Sequence, residues 1–375
     1  MMFESGINGK YFKYLGHAVQ SMNEIDKNCI LVWDEMALTP HIDYSPNRDV
    51  IDGFVEMILM RRPSFATHAL VFMARGINRQ YKQPLSYFYT DGLKHFELVE
   101  MVKLVGVAVL DAGLKILASV CDQCQTNVST INALMRSNPE TATNGGVNRG
   151  QLLSYKLRDT TVIHVFDVPH LLKGTRNNLQ TKVLKHFVSK RWSSTERNST
   201  NSVKKSLELT ATWKDISETY DCSLKGSGQL LKKITPEHIE PHKLKMKVST
   251  AAQVFSATYG KVMMDFSESV YLKRDLTGTA NALFFFNDLF DSLNGSSLTV
   301  NQLKSPVTKN SHHFQFWDYA LNMLSKMRFI DPATGEASNR TKNLQNWEST
   351  IRGYYELSKK CLDLGIMEIA LRYCV

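Results

Sequence analysis

Short apolar runs separated by polar residues set the pattern of the first 170 positions. Ile30-Leu31-Val32-Trp33 is one such run, and it ends on Asp34. Ile116-Leu117-Ala118-Ser119-Val120-Cys121 is a second, and it ends on Asp122. Both have strand length and read as buried strands. Further strand-like runs fall around 50–56, 67–75 and 85–90, and Ser45-Pro46-Asn47-Arg48-Asp49 supplies a hairpin turn. Over about 93–112 the period changes. Leu98, Met101, Val102, Val105, Val109 and Leu110 line one side of a helix bracketed by Gly92 and Gly113. A helix over about 125–136 follows, then a loop at Asn144-Gly145-Gly146, a strand at 162–167 and a helix opened by Pro169. A short amphipathic helix over about 14–27 leads into the first strand.

Beyond this point the periodicity weakens. Residues 190–228 are polar and read as a loop with little structure of its own. From 229 onward the pattern is mostly helical, with the stripe Leu283, Phe286, Leu289, Phe290 and Leu293, a loop at 295–312, and helices over 313–328 and 343–373. Hairpin strands followed by helix, strand, helix, strand give the order of an RNase H-like α/β domain. The expected class is therefore an RNase H-like mixed sheet domain followed by a mostly α-helical domain. The limits are 1–28 for a leading segment, 29–175 for the sheet domain and 176–375 for the helical domain. In that topology the first strand and the first strand after the helix lie side by side, and Asp34 and Asp122 face one metal site.

A carboxylate at the lip of a buried sheet is costly without a cation beside it. Magnesium is the usual occupant, bound through one or two carboxylates and phosphate oxygens. Other readings compete. Asp34 could pair with a nearby Lys or Arg, and Asp122 could cap the following helix. Glu35 belongs on the strand face opposite Asp34, because side chains alternate. Asp167 and His170 end the next strand, where His170 could touch the metal or serve as a structural hydrogen-bonder. Cys121-x-x-Cys124 lacks the second ligand pair that structural zinc needs.

The chain has 375 residues, 43% of them hydrophobic and 22% charged, an ordinary globular composition. No apolar run reaches the roughly 18 residues of a membrane span, so no membrane partner is expected. The opening residues lack the basic-then-apolar order of a signal peptide. Six cysteines are too few for a disulfide scaffold and fit a reducing compartment. Between Lys173 and Thr250 there are 16 Lys and Arg against 7 Asp and Glu, an excess that matches the whole chain's net +9. Such a block suits a polyanionic partner or a solvated lysine-rich linker.

Seven motifs in one order carry a family resemblance. They are Trp33-Asp34-Glu35-Met36, the stretch His68 to Gly76, Lys82-Gln83-Pro84-Leu85-Ser86-Tyr87-Phe88, Val120-Cys121-Asp122-Gln123, Phe166-Asp167-Val168-Pro169-His170-Leu171-Leu172-Lys173, the stretch Lys245 to Ser256, and Phe290-Asp291-Ser292-Leu293-Asn294-Gly295. Together they resemble the P element transposases and their THAP-domain relatives. The resemblance implies an RNase H-like catalytic domain interrupted by a helical GTP-binding insertion. It implies two metal ions held by Asp, Asp and Glu, with Asp34 and Asp122 as the first two. The Glu belongs to a motif resembling Gln-Asp-x-x-Glu-Asn, and no Gln-Asp-x-x-Glu occurs in this sequence. The family's zinc-finger ligand set is not found in residues 1–28 either. The expectation is a fragment or degenerate copy with impaired cleavage. A domesticated, non-enzymatic nuclear DNA/GTP-binding protein is the alternative.

The resemblance further implies Mg²⁺ and GTP as cofactors. Phe290, Asp291 and Asn294 would read guanine, and Lys232, Lys247, Val248 and Ser256 would line the phosphates and ribose. The plain reading of Phe290 is helix core, with Asp291 and Asn294 as solvated edge and end cap. Transposon-end and target DNA are the implied partners, a homo-oligomer is left open, and the nucleus is the implied location.

Overall fold

A helix begins where an asparagine caps it, and in the computed structural model this moves the first helix upstream of its expected place. The structure describes residues 5–46, 49–58, 60–137, 150–188, 207–225, 230–240, 247–267, 274–296, 301–338 and 342–374. They fall into two units, one of residues 1–167, 295–311 and 349–375, the other of 168–294 and 312–348.

In the first unit the Asn8 side chain accepts a hydrogen bond from the Tyr11 N–H at 3.1 Å and opens α1 (Gly9–Gln20), which buries Phe12, Leu15 and Val19. The helix expected over 14–27 is therefore α1 plus a separate 3₁₀ turn, Glu24–Lys27. Next come β1 (Asn28–Ala37), β2 (Asp43–Ser45), β3 (Val50–Asp52), β4 (Phe54–Met57), β5 (Met60–Phe65), β6 (His68–Gly76) and β7 (Lys82–Thr90). Then follow α2 (His95–Asp111), β8 (Lys115–Cys121), α3 (Gln125–Arg136), β9 (Ser154–Leu157) and β10 (Thr160–Phe166). One eight-stranded sheet runs in the order β5-β4-β7-β6-β1-β8-β10-β9, with β2 and β3 as a separate hairpin. β1 lies antiparallel to β6 and parallel to β8, which in turn lies parallel to β10. Helices α2 and α3 supply the crossovers that parallel neighbours require. This is the expected mixed sheet. The loop at 144–146 lies outside the described residues.

Two edge strands, β5 and β9, escaped the pattern. An edge strand need not be apolar, and β5 carries Arg61, Arg62 and Pro63, residues suited to a sheet margin. Residues 295–311 and 349–375 belong to this unit, so its bounds do not coincide with a single cut at 175. The Phe166 N–H donates to Thr350 Oγ1 at 3.1 Å. Val307 and Ile369 form an antiparallel bridge.

The second unit contains α4 (Val168–Leu179), β11 (Val183–Val188), β12 (Leu207–Ala211), α5 (Trp213–Leu224), α6 (Pro236–Ile239), α7 (Val248–Val254), α8 (Ala257–Ser267), α9 (Thr277–Leu293), α10 (His313–Lys326) and β13 (Arg328–Ile330). It also holds the start of α11 (Asn343–Asp363), a helix that finishes in the first unit. Helical content dominates, as expected. Leu283, Phe286, Leu289 and Leu293 on α9 are fully buried, and Phe286 meets Phe255 and Trp347 at ring distances of 5.6 and 6.3 Å.

Residues 190–228 need correction. Those up to 206 lie outside the described residues, but β12 and α5 are regular structure, with Thr212 capping α5. β12, β11 and β13 form a three-stranded sheet whose members are far apart in sequence, so no local pattern announced it. α11 stops at Asp363, ten residues short of expectation. Gly365 follows at φ +86°, a left-handed turn that glycine adopts without penalty. Among the described residues no helix is long and apolar enough to cross a membrane.

Gly353 sits against β10. A Cβ there would lie 2.5 Å from Val165 Cγ1 and 2.9 Å from the His164 carbonyl oxygen, and the latter is backbone that cannot rotate away. Gly353→Ala should destabilise the protein by about 1–3 kcal/mol, lowering the urea midpoint. An unchanged midpoint would contradict this packing.

Candidate functional site

Parallel pairing of β1 and β8 sets the geometry. Leu31 lies beside Ser119 and Val32 beside Val120. The pairing ends there; carried two steps further, the same register brings Asp34 level with Asp122, just past the end of β8, on strands about 4.8 Å apart. The next strand repeats the relation. Phe166 pairs with Cys121, and the Asp167 N–H donates to the Cys121 carbonyl at 2.8 Å. Asp122 and Asp167 thus follow the carboxyl ends of two adjacent parallel strands, whereas Asp34, expected at a strand end, lies inside β1, which continues to Ala37 because it still pairs with β6 there. The Cys121 thiol beneath them is held well above its ordinary pKa, chiefly by burial and then by the neighbouring charges, Asp122, Asp167 and Asp34 among them.

Each acid has a distinct setting. Asp34 is exposed, and its Oδ1 accepts from the Glu35 N–H at 2.9 Å. Glu35 points to the other face, as alternation predicts, and accepts from Thr90 Oγ1 at 2.6 Å. Asp122 is half-buried, and its Oδ1 accepts from the Cys124 N–H at 3.0 Å and from Asn127 Nδ2 at 2.7 Å. The capping role considered for Asp122 is thereby refined. The N-cap of α3 is Cys124, and Asp122 braces the turn before it. Asp167 and His170 are both half-buried, but His170 lies on α4, in the second unit.

Sequence reasoning missed Asn127. It is 7% exposed and accepts from Trp33 Nε1 at 3.0 Å while donating to Asp122. The one available signal was a polar residue in the first turn of a helix that starts just after an acid. His164 also went unremarked. It is fully buried, stacks on Trp33 at 6.0 Å, and places Nδ1 3.0 Å from Ser119 Oγ and Nε2 3.7 Å from Cys121 Sγ.

Among the described residues no group of three or more His, Cys, Asp or Glu stands in metal-binding geometry. Two carboxylates at one sheet edge suit one hard divalent cation, which completes its shell with water or phosphate oxygens. Cys121 and Cys124 are both free thiols, and Cys121 is buried.

In the second unit, Ser256 Oγ accepts from the Tyr259 N–H at 3.3 Å at the start of α8. Asn287 ties this helix end to α9, because its Oδ1 accepts from the Ala257 N–H at 3.2 Å and its Nδ2 donates to Asp291 Oδ2 at 3.1 Å. One side chain thus links the Ala257 N–H, next to Ser256, with Asp291. Phe290 and Asp291 are half-buried on α9, and Asn294 is its C-cap. Lys247 is exposed as the N-cap of α7 and Val248 is the first helical residue. Lys232 is exposed in a turn ahead of α6, and no hydrogen bond or ion pair among the described residues joins it to the other six.

Comparison with known proteins matches two stretches of the chain. The family model described as TNP-like, RNase H N-terminal domain matches residues 3–135, and the one described as TNP-like, GTP-binding insertion domain matches 195–306. These matches and the relatives below bear out the resemblance to the P element-type transposases. Human DNA transposase THAP9 is 21% identical over 314 residues, 82% of this chain and 32% of its own length. The Drosophila melanogaster transposable element P transposase is 25% identical over 283 residues, 75% of this chain and 32% of its own. The chain therefore spans about a third of the length of these curated relatives. The solved Drosophila P element transposase strand transfer complex shares the fold at a TM-score of 0.73 and 18% identity, covering 100% of this chain and 74% of that one. Within the family match, the first model spans Asp34, Asp122 and Asn127, and the second spans all seven residues considered for the nucleotide.

Burial alone pulls the His164 imidazole down to about 3, against about 6.5 for an unfolded chain. Between those values the unfolded chain takes up a proton that the folded one refuses. The stabilisation is complete above pH 6.5 and is lost as pH falls toward 3. The slope is about 1.4 kcal/mol per unit, or about 2 kcal/mol by pH 5. Urea unfolding at pH 7 and pH 5 should show this loss in the wild type and about 2 kcal/mol less of it in His164→Phe. Equal losses in both would contradict a buried neutral imidazole.

Proposed function

We propose that this chain supplies two carboxylates, Asp34 and Asp122, of a divalent-metal site for DNA strand cleavage and transfer. The register of β1 and β8, continued beyond its last pair Val32 and Val120, supports this reading by bringing Asp34 level with Asp122. Magnesium bound there would neutralise phosphate charge and activate the attacking oxygen. The residues of the chain do the rest. Asp122 is held by two donors, so its carboxylate needs no reordering when an ion arrives. Asp34, being exposed, meets the ion without a burial penalty. The basic excess between Lys173 and Thr250 suits the phosphate backbone. DNA, a nuclear site of action and GTP in the second unit follow from the same reading. Phe290 would stack on guanine, Asp291 and Asn294 would read its edge, and Lys232, Lys247, Val248 and Ser256 would line the triphosphate and ribose.

The family's third acid is not contributed by this sequence, which contains no Gln-Asp-x-x-Glu. Cation and DNA binding are therefore expected to exceed cleavage. A second reading, a nuclear DNA- and GTP-binding protein without enzymatic activity, draws on the basic excess between Lys173 and Thr250.

Supercoiled plasmid incubated with the protein and Mn²⁺ separates the two. Slow nicking abolished by Asp34→Asn supports the transposase reading. Intact DNA binding with no nicking supports the binder, and nicking unchanged in Asp34→Asn overturns the metal assignment.

Titration with a fluorescent GTP analogue tests the second unit. Asp291→Ala should weaken binding by about tenfold or more, the scale of a lost charged hydrogen bond. Unchanged affinity removes Asp291 from the guanine contact.

A further inference from the structure

We infer that Asn127 is a positioning residue for Asp122, and that the indole of Trp33 sets which way Asn127 faces. This rests on reading Asp122 as a cation ligand. The three groups form one directed series. Trp33 Nε1 donates to Asn127 Oδ1 at 3.0 Å, and Asn127 Nδ2 donates to Asp122 Oδ1 at 2.7 Å.

The chemistry of the groups permits one polarity. An indole N–H only donates, and an ionised carboxylate only accepts. The amide between them satisfies both when its oxygen faces Trp33 and its nitrogen faces Asp122. Turned over, it would set donor against donor and acceptor against acceptor. Trp33 is 1% exposed and Asn127 7%, so water cannot relieve the mismatch. Packing holds the indole in place, with His164 stacked at 6.0 Å and Phe72 at 6.1 Å. The Cys124 N–H adds a second donor to the same Asp122 oxygen at 3.0 Å.

The consequence reaches both sides of the metal site. Trp33 immediately precedes Asp34 on β1, and Asp122 immediately follows β8. One buried amide therefore links the strand that carries the first acid to the carboxylate of the second. Asn127 touches no cation in this scheme. It fixes the direction from which Asp122 meets one.

Mn²⁺ binding to the full chain, followed by electron paramagnetic resonance in the cold, tests the inference. The variants are Asn127→Leu, Trp33→Phe, their combination and Asp34→Asn. Asn127→Leu should weaken Mn²⁺ binding by about 10–100-fold, the range for groups that orient a ligand. Trp33→Phe keeps an aromatic ring but drops the donor, and it should weaken binding several-fold. Combining the two should add nothing to Asn127→Leu alone, because they act through one series. Additive losses would mark two separate packing defects and overturn the inference. Side-chain amide resonances give a readout that needs no variant: those of Asn127 should shift when Mg²⁺ is added to wild-type protein, and their failure to move would also overturn it. If wild type takes up no Mn²⁺, the metal reading falls and this inference with it. If wild type binds, Asp34→Asn weakens binding and Asn127→Leu does not, the positioning role alone is wrong.

Discussion

The parallel pairing of β1 with β8 is the constraint on which the catalytic reading depends. Both strands are buried in mid-sheet, with Ile30, Leu31, Ile116, Ala118 and Val120 at or near zero exposure. Parallel neighbours cannot be joined by a tight turn, so the chain must cross over through a helix before β8 begins. That requirement places both strands with their carboxyl ends at the same sheet edge. A slip of one residue between them would turn Asp34 away from Asp122, and the burial of the apolar positions resists such a slip. A tightly packed sheet centre thus fixes the relation of two residues that are polar and lie at its margin.

Beneath the acids the core is polar but uncharged. His164, Ser119 and Cys121 are all buried, the imidazole is kept neutral and the thiol protonated. A neutral floor leaves the aspartates as the charged groups of that edge and avoids the desolvation cost of a buried ion. The second unit uses the same economy differently. Asp215, 5% exposed on α5, is paired with Arg274 and accepts from Thr279, so the buried carboxylate there is compensated. Asn287 does for Asp291 what Asn127 does for Asp122: an uncharged amide orients a carboxylate.

Much of the first unit was legible in the sequence because its central strands are apolar runs followed by acids, although β1 continues past Asp34 to Ala37. The limits of β8 and α3 emerged as read. What stayed hidden were elements stabilised by distant partners. β11, β12 and β13 pair residues near 185, 209 and 329, and the buried His186 among them is satisfied by the Gly278 carbonyl at 2.8 Å. No local periodicity encodes such contacts. The acids themselves stood out, but the groups that hold them did not. Asn127 and Asn287 act through single hydrogen bonds, and an asparagine in a helical pattern is ordinarily read as a surface residue.

Anomalous diffraction from crystals grown with Mn²⁺ is the most direct measurement of the central claim. The account predicts one peak at the strand ends, about 2.1–2.2 Å from a carboxylate oxygen of Asp34 and from one of Asp122, the range for a hard cation on oxygen. A peak coordinated by only one of them, or none at millimolar Mn²⁺, would contradict it.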